Sequence, residues 1–235
     1  MKLIGLIGGM SWQSTIPYYR LINEFVGERL GGHHSAKLLL HSVDFHEFEC
    51  LQRAGDWQLA GQRLAATARA LENAAADCIV LCTNTMHRVA PAIEAAVQIP
   101  LLHIADPTAH VIKSAGLGAV GLLGTRFTME EDFYRERLAA RHGLTVLTPS
   151  AADRDLVHRI IYDELCLGKL LPASREVYRK VMRSLAQQGA QAIILGCTEI
   201  SLLVTQSDSR VPLFDTASIH ALHAAAWSLQ DDASC

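Results

Sequence analysis

The chain contains an internal repeat, and this repeat is the feature that most constrains its fold. Three short segments of the first half recur in the second half, in the same order and at nearly the same spacing. The pairs are Gly5–Gly9 with Gly121–Thr125, Ile79–Thr83 with Ile194–Thr198, and Ile99–Leu102 with Val211–Phe214. Three matches in one order are hard to produce by chance. The sequence therefore predicts two halves built on one ancestral unit.

Each half alternates short apolar runs with longer amphipathic stretches. The runs are rich in Ile, Val and Leu and have the length of buried parallel strands. They are Lys2–Ile7, Leu38–His41 and Cys78–Leu81 in the first half, and Ala119–Leu123, Leu144–Leu147 and Ala192–Leu195 in the second. Trp57–Glu72 and Glu176–Gln188 carry apolar residues near helical spacing. This alternation predicts parallel sheets covered by helices, with right-handed crossovers.

The predicted fold class is α/β, with two pseudo-symmetric lobes and an active site in the cleft between them. We expect the first lobe to contain residues 1–104 and 212–235, and the second to contain residues 105–211. A chain link near Ala105–Gly118 and another near Val211 would connect the lobes, and a last helix near Ser218–Leu229 would pack on the first. Half of the residues are hydrophobic, which suffices for a sizeable core.

The charge pattern argues against nucleic-acid and membrane partners. The formal net charge is −3, and Lys and Arg form no block. No apolar run approaches the roughly 20 residues of a membrane span. The apolar start, Met1–Ile7, ends at Gly8-Gly9 without a small-residue cleavage site, so it indicates a buried first strand rather than a signal peptide. We therefore expect a cytoplasmic protein.

Two of the cysteines stand at equivalent positions of the repeat. The chain has six, namely Cys50, Cys78, Cys82, Cys166, Cys197 and Cys235. Disulfides are not expected, because the cytosol keeps thiols reduced, and a single cysteine is most often a small buried hydrophobe. Cys82 and Cys197, however, each come directly after an apolar strand. Because ligands of open parallel sheets bind beyond the carboxyl ends of the strands, this pair is predicted to be functional and to face each other across the cleft.

Polar residues follow both cysteines. Thr83–Thr85 follows Cys82, and Thr198-Glu199 follows Cys197. They supply hydroxyls, an amide and backbone N–H groups at the predicted start of a helix. Such a start favours anions, so it would bind a substrate carboxylate and lower the pKa of a thiol. Plain helix capping by Thr and Asn is the alternative, and both can hold at once.

Four motifs span almost the whole chain. They are Gly8–Ser11 (GGMS), Cys82–His87 (CTNTMH), Gly124–Arg126 (GTR) and Gly196–Glu199 (GCTE). With them the sequence resembles the aspartate/glutamate racemase family of PLP-independent enzymes. Ser14–Tyr19 and His41–Phe45 look like its broad-specificity amino-acid racemase branch. The resemblance implies a two-lobed fold, a homodimer, a small amino-acid substrate, no cofactor and no metal ion.

The resemblance also implies roles for individual residues. Cys82 and Cys197 would alternate as thiolate base and thiol acid at the substrate α-carbon. The candidate substrate contacts are Met10, Gln52, Thr83, Asn84, Thr85, Thr125 and Thr198. Many aspartate-specific relatives have a basic residue near Glu164–Cys166, where this chain has none until Lys169. We therefore expect a broad substrate range without a committed side-chain cation.

Two other interpretations of the same residues stay open, a related isomerase and a binding protein, whereas a dinucleotide site and a metal site are disfavoured. A hydantoin racemase or a maleate isomerase would also keep two cysteines, whereas a decarboxylase of this type needs only one. A non-catalytic amino-acid-binding protein would need no symmetric thiol pair. A dinucleotide site at Gly5–Met10 lacks the Gly-x-Gly-x-x-Gly spacing. A metal site built from His33-His34, Cys82 and His87 lacks an established ligand spacing.

Overall fold

The computed structural model describes residues 1–230, which form two compact units. The first unit contains Met1–His103 and the segment that begins at His220, and the second contains Ile104–Ile219. Cys235 and the end of the predicted first lobe lie outside the described residues. Each unit has one parallel sheet. The predicted α/β fold class, with two helix-covered parallel sheets, is confirmed.

The first unit is built on a three-stranded sheet. Its strands are β1 (Ile4–Gly8), β2 (Leu38–Ser42) and β3 (Cys78–Leu81), in the order β2-β1-β3. Its helices are α1 (Trp12–Leu30), α2 (Phe45–Ala54), α3 (Trp57–Asn73) and α4 (Ala90–Glu94), with a 3-10 helix at Thr85–Val89 before α4. Because both strand pairs are parallel, the carboxyl ends of all three strands lie at one edge.

The second unit has a four-stranded sheet. Its strands are β4 (Ala119–Gly124), β5 (Thr145–Leu147), β6 (Ala192–Gly196) and β7 (Leu213–Asp215), in the order β5-β4-β6-β7. Its helices are α5 (Ala105–Ser114), α6 (Arg126–Glu130), α7 (Asp132–Glu136), α8 (Ala151–Asp163), α9 (Pro172–Gln187) and α10 (Ile200–Leu203). Helix α11 (Thr216–Ser228) begins in this unit and continues into the first.

Helices cover the sheets with their apolar faces. Helix α3 begins after Asp56, whose carboxylate accepts a hydrogen bond from the Leu59 N–H at 3.0 Å, and it buries Leu64 and Leu71. Helix α9 buries a stripe at helical spacing, namely Tyr178, Val181, Met182 and Leu185. Among the described residues, no helix combines the length and apolar character that crossing a membrane requires.

Two glycines at equivalent positions of the repeat let a helix pack directly on the end of a strand. A Cβ atom at Gly8, the last residue of β1, would lie 2.4 Å from Thr15 Cγ2 of α1. At Gly124, the last residue of β4, it would lie 2.7 Å from the Gly196 carbonyl oxygen and 3.1 Å from Thr128 Cβ of α6. Because a Cβ atom does not fit in either place, the repeated glycines reflect a repeated packing.

Two details of the predicted division differ from the structure. The boundary expected at residue 212 lies instead at His220, because β7 pairs with β6 and so completes the second sheet. The link expected at Ala105–Gly118 contains helix α5, whose Ala109 and Ile112 are buried in the second unit. These residues are therefore part of a core and not a linker.

Candidate active-site residues

Cys82 directly follows β3 at the carboxyl edge of the first sheet. Its backbone N–H donates to the Ile7 carbonyl at 2.9 Å, so the pairing with β1 continues up to the cysteine. The side chain is fully buried, and Sγ lies 3.8 Å from the Val80 carbonyl oxygen. Burial raises the pKa of the Cys82 thiol well above its ordinary value, because a thiolate there would lose its hydration. Burial therefore favours the neutral form of this thiol.

The residues after Cys82 form a buried turn. The Thr83 N–H donates to the Leu81 carbonyl at 2.8 Å, and the 3-10 helix begins at Thr85. His87 fixes this turn, because its Nδ1–H donates to the Thr83 carbonyl oxygen at 2.7 Å. All three predicted contacts of this turn, Thr83, Asn84 and Thr85, are buried.

Two further predicted contacts lie in the same unit. Met10 follows β1 and is buried in one apolar cluster with Met86 of the 3-10 helix. Gln52 is on α2 with its side chain buried, and its Nε2–H donates to Met86 Sδ at 3.0 Å. Helix α2 is thereby held against the segment that follows Cys82. The structure thus associates both residues with that segment.

Cys197 occupies the corresponding position in the second unit. It directly follows β6 and is buried. Thr125 follows β4, the neighbouring strand, and its hydroxyl accepts from the Thr128 N–H at the start of α6 at 3.3 Å. Both residues therefore lie at the carboxyl edge of the second sheet.

A buried carboxylate that the sequence analysis did not select as a site residue contacts Cys197. The Cys197 thiol donates to Glu199 Oε2 at 3.0 Å, and the Thr198 hydroxyl donates to the same oxygen at 2.9 Å. Glu199 is 2% exposed. Its position two residues after the cysteine was visible in the sequence, but its side-chain direction was not. The second unit therefore pairs its thiol with a buried carboxylate that accepts its hydrogen bond.

The expectation of lowered thiol pKa values is wrong for both cysteines. Burial raises the pKa of Cys197 well above its ordinary value, and the Glu199 and Cys166 side chains raise it further. The helices that follow are a five-residue 3-10 helix after Cys82 and the four-residue α10 after Cys197. Such short helices have little dipole, so desolvation outweighs them.

Three cations near the motifs, Arg53, Arg126 and Lys169, are solvent-accessible. The Arg53 side chain is 75% exposed and pairs with Glu49 of the same helix. The Arg126 side chain is 50% exposed and lies 3.9 Å from the Asp155 carboxylate. Lys169 is exposed. None of these three is a desolvated cation of the kind that a buried substrate carboxylate requires.

The remaining described cysteines are free thiols. Cys78 is buried within β3, where burial first and Asp77 second raise its pKa to about 12. Cys166 is partly buried beside the Cys197 cluster. His33 and His34 are exposed after α1, whereas Cys82 and His87 are buried, so these four do not form a metal site.

Comparison with known proteins is consistent with this arrangement. Residues 7–224 match the Asp/Glu/Hydantoin racemase family. A crystal structure of a Yersinia pestis protein assigned to the Asp/Glu racemases is 60% identical, covers 98% of this chain and 100% of its own, and superposes with a TM-score of 0.91. An aspartate racemase homologue from Pyrococcus horikoshii OT3 is 34% identical at the same coverage, with a TM-score of 0.83. The broad specificity amino-acid racemase RacX of Bacillus subtilis (strain 168) is 21% identical over 228 residues, which is 92% of this chain and 93% of RacX.

The fold and the strand-end residues, taken with these matches, define an isomerase of the amino-acid racemase class. Within that class, the chain belongs to the Asp/Glu/Hydantoin racemase family. The family resemblance inferred from the four sequence motifs is thereby confirmed.

Proposed function

We propose that this protein racemises free amino acids without a cofactor, using Cys82 and Cys197 as its two proton-transfer groups. The observation that carries the proposal is their equivalence. Cys82 directly follows β3, which pairs with β1, and Cys197 directly follows β6, which pairs with β4. Both cysteines are buried, and a threonine follows each. Cysteines that only fill a core have no reason to obey the symmetry of the repeat.

The chemistry of racemisation requires two groups. One takes the α-proton from one face of the carbon, and the other returns a proton to the opposite face. The proposal therefore requires both thiols to reach the same α-carbon. Because no pyridoxal spreads the negative charge of the intermediate, hydrogen bonds to the substrate carboxylate and exclusion of water must stabilise it. The predicted contacts Thr83, Asn84, Thr85, Thr125 and Thr198 would supply those hydrogen bonds.

The two thiols start from different environments. For Cys197 to take the substrate α-proton it must first lose its own, and the proposal assigns that proton to Glu199, whose Oε2 accepts the thiol hydrogen bond. The Cys82 thiol faces the Val80 carbonyl, which accepts a hydrogen bond but takes no proton. In the proposed cycle Cys197 is the base for one enantiomer, and Cys82 donates its proton to the other face. The reverse reaction exchanges these roles.

We propose that the substrate range is broad. A dedicated aspartate or glutamate site needs a desolvated cation for the side-chain carboxylate, since an unpaired buried charge is strongly unfavourable. Arg53, Arg126 and Lys169 are all accessible to solvent and would keep much of their hydration. The protein would therefore accept several polar and aliphatic amino acids and turn over acidic ones less efficiently.

The test is exchange of the α-proton with solvent. A panel of L-amino acids is incubated in D2O with EDTA and without pyridoxal phosphate, then read by NMR and chiral chromatography; a hydantoin and maleate are included. We expect deuterium incorporation with racemisation for several amino acids. Turnover of the hydantoin or maleate alone would assign the related isomerase activity, and substrate binding without exchange would assign a binding protein.

The cysteine variants make the test specific. Cys82→Ala and Cys197→Ala should each lose nearly all racemisation while still binding substrate, and combining them should add little further loss. Cys78→Ala is the control, because Cys78 is a buried thiol of the first unit that has no equivalent cysteine in the second. Near-normal turnover in either single variant would contradict the two-base scheme.

We also propose that the protein is a cytoplasmic homodimer. Trp12, Ile16 and Tyr19 lie on one face of α1 and are 60%, 56% and 59% exposed. Large apolar side chains clustered at the surface are typical of protein interfaces. A second copy of the chain is the partner that the family resemblance implies.

A further inference from the structure

One turn of α2 brings three metal-binding side chains together on the surface. His46, Glu49 and Cys50 lie at positions i, i+3 and i+4, which face the same side of a helix. Their ligand atoms all lie within 4.8 Å of one another. His46 and Cys50 are exposed and Glu49 is half-buried, so an ion from solvent can reach all three. We call these residues the α2 triad.

The distance between Cys50 Sγ and His46 Nε2 is close to the distance that separates two ligand atoms bound to the same metal ion. Cys50 Sγ lies 3.7 Å from His46 Nε2. In a tetrahedral zinc site, with Zn–S about 2.3 Å and Zn–N about 2.0 Å, these two atoms lie about 3.5 Å apart. A contraction of about 0.2 Å, within the reach of two exposed side chains, would place both in ligand positions.

Glu49 can serve as the third ligand without leaving its ion pair. Both guanidinium contacts of Arg53, from Nε at 3.0 Å and from Nη2, reach the same carboxylate oxygen, Oε1. The other oxygen, Oε2, can therefore turn towards the histidine and the cysteine. In metal sites, a hydrogen-bonded partner of this kind orients the ligating carboxylate.

We propose that the α2 triad binds a borderline-soft divalent cation, with zinc as the best match. A thiolate, an imidazole and a carboxylate are ligands that zinc accepts and that magnesium and calcium do not favour together. Binding replaces the Cys50 S–H bond by an S–Zn bond and releases one proton to solvent. Water completes the four-coordinate site.

This site is separate from the proposed reaction. The same helix directs Gln52 inward to Met86, on the side that follows Cys82, while the α2 triad occupies its outer side. The inference therefore does not depend on the racemase proposal.

The test uses the full-length, untagged protein after treatment with a chelator. Zn2+ binding is measured by calorimetry, and Co2+ is used as a spectroscopic probe, because a cobalt–thiolate bond gives a near-ultraviolet charge-transfer band. We expect one Zn2+ per chain and a Co2+ band that Zn2+ removes.

Variants separate this site from nonspecific binding. Cys50→Ser should abolish the Co2+ band, and Cys50→Ser and His46→Gln should each weaken Zn2+ binding by about tenfold or more. The matched control replaces His33 and His34, two other exposed histidines, by Gln and should change neither result. A Co2+ band absent from the wild-type protein, or Zn2+ binding that survives Cys50→Ser but is lost in the control, would overturn the proposal.

Discussion

The hydrogen bond between Cys197 and Glu199 is the contact in the second unit that bears most directly on the proposed proton transfer. A buried carboxylate next to a buried thiol makes it unfavourable for both to be charged, which is why Glu199 adds to the raised pKa of Cys197. Thr198 donates to the same oxygen and holds the carboxylate in place. The proposed base role of Cys197 therefore assigns its proton to Glu199, the carboxylate that accepts its hydrogen bond.

The first residue-scale prediction concerns this proton transfer. In Glu199→Gln, the amide oxygen can still accept the hydrogen bond but cannot take the proton. We expect kcat to fall by roughly 100-fold or more in the direction for which Cys197 is the base, with a smaller change in KM. The matched control is Glu164→Gln, which removes a carboxylate that accepts a hydrogen bond from Ser174 and not from a cysteine. Equal kcat values for Glu199→Gln and wild type in both directions would contradict the role of Glu199.

The second residue-scale prediction concerns thiol reactivity. Only the thiolate reacts with iodoacetamide, and burial raises the pKa of both Cys82 and Cys197, so near neutral pH both should react slowly. Below the raised pKa values, the thiolate fraction and the labelling rate should increase by about tenfold per pH unit. Mass spectrometry of peptides should show exposed Cys50 labelled first. Labelling of Cys82 or Cys197 ahead of Cys50 at neutral pH would show that the thiols are activated.

At the scale of elements, a buried hydrogen-bond chain joins three distant parts of the first unit. His220 of α11 donates from Nε2 to the Leu102 carbonyl at 2.6 Å, and in a neutral imidazole its Nδ1 then accepts from the Tyr18 hydroxyl of α1 at 3.0 Å. Tyr18 and His220 are both fully buried. These two hydrogen bonds hold α11 against α1 and against the segment after β3.

Breaking this chain should destabilise the first unit. Tyr18→Phe removes the buried hydroxyl that is hydrogen-bonded to His220 Nδ1, and we expect a loss of about 1–3 kcal/mol in the free energy of unfolding, measured with urea. Tyr134→Phe is the matched control, because the Tyr134 hydroxyl is also buried but has no hydrogen-bond partner among the described residues. That control should be neutral. Equal effects of the two substitutions would show that the Tyr18–His220 bond contributes little.

At the scale of the whole molecule, the proposed homodimer would assemble through the exposed apolar face of α1. Ile16 is at its centre, so Ile16→Glu would place a charge in the interface and should shift the protein towards monomers. Light scattering after size-exclusion chromatography measures this. Leu170→Glu, at an exposed leucine outside α1, is the control and should keep the wild-type mass. A wild-type monomer, or an unchanged dimer in Ile16→Glu, would exclude this face as the interface.

The local pattern of the sequence was enough to predict strands β1 to β6 and to place the two cysteines after equivalent strands, but it did not predict β7. Strands β1, β3, β4 and β6 are short apolar runs that are almost wholly buried, so composition alone marks them. The repeat then located Cys82 and Cys197 after equivalent strands. Both results need only neighbouring residues and their order.

Properties that depend on contacts between distant residues appeared only in the tertiary structure. Pairing with β6 assigns β7 to the second sheet. A hydrogen bond joins Tyr18 to His220, which lies 202 residues further along the sequence. The raised thiol pKa values follow from burial, which side chains far apart in the chain create together. Apolar periodicity reports which residues are buried, but only the folded packing sets what each buried polar group contacts, and that decides its protonation and its chemistry.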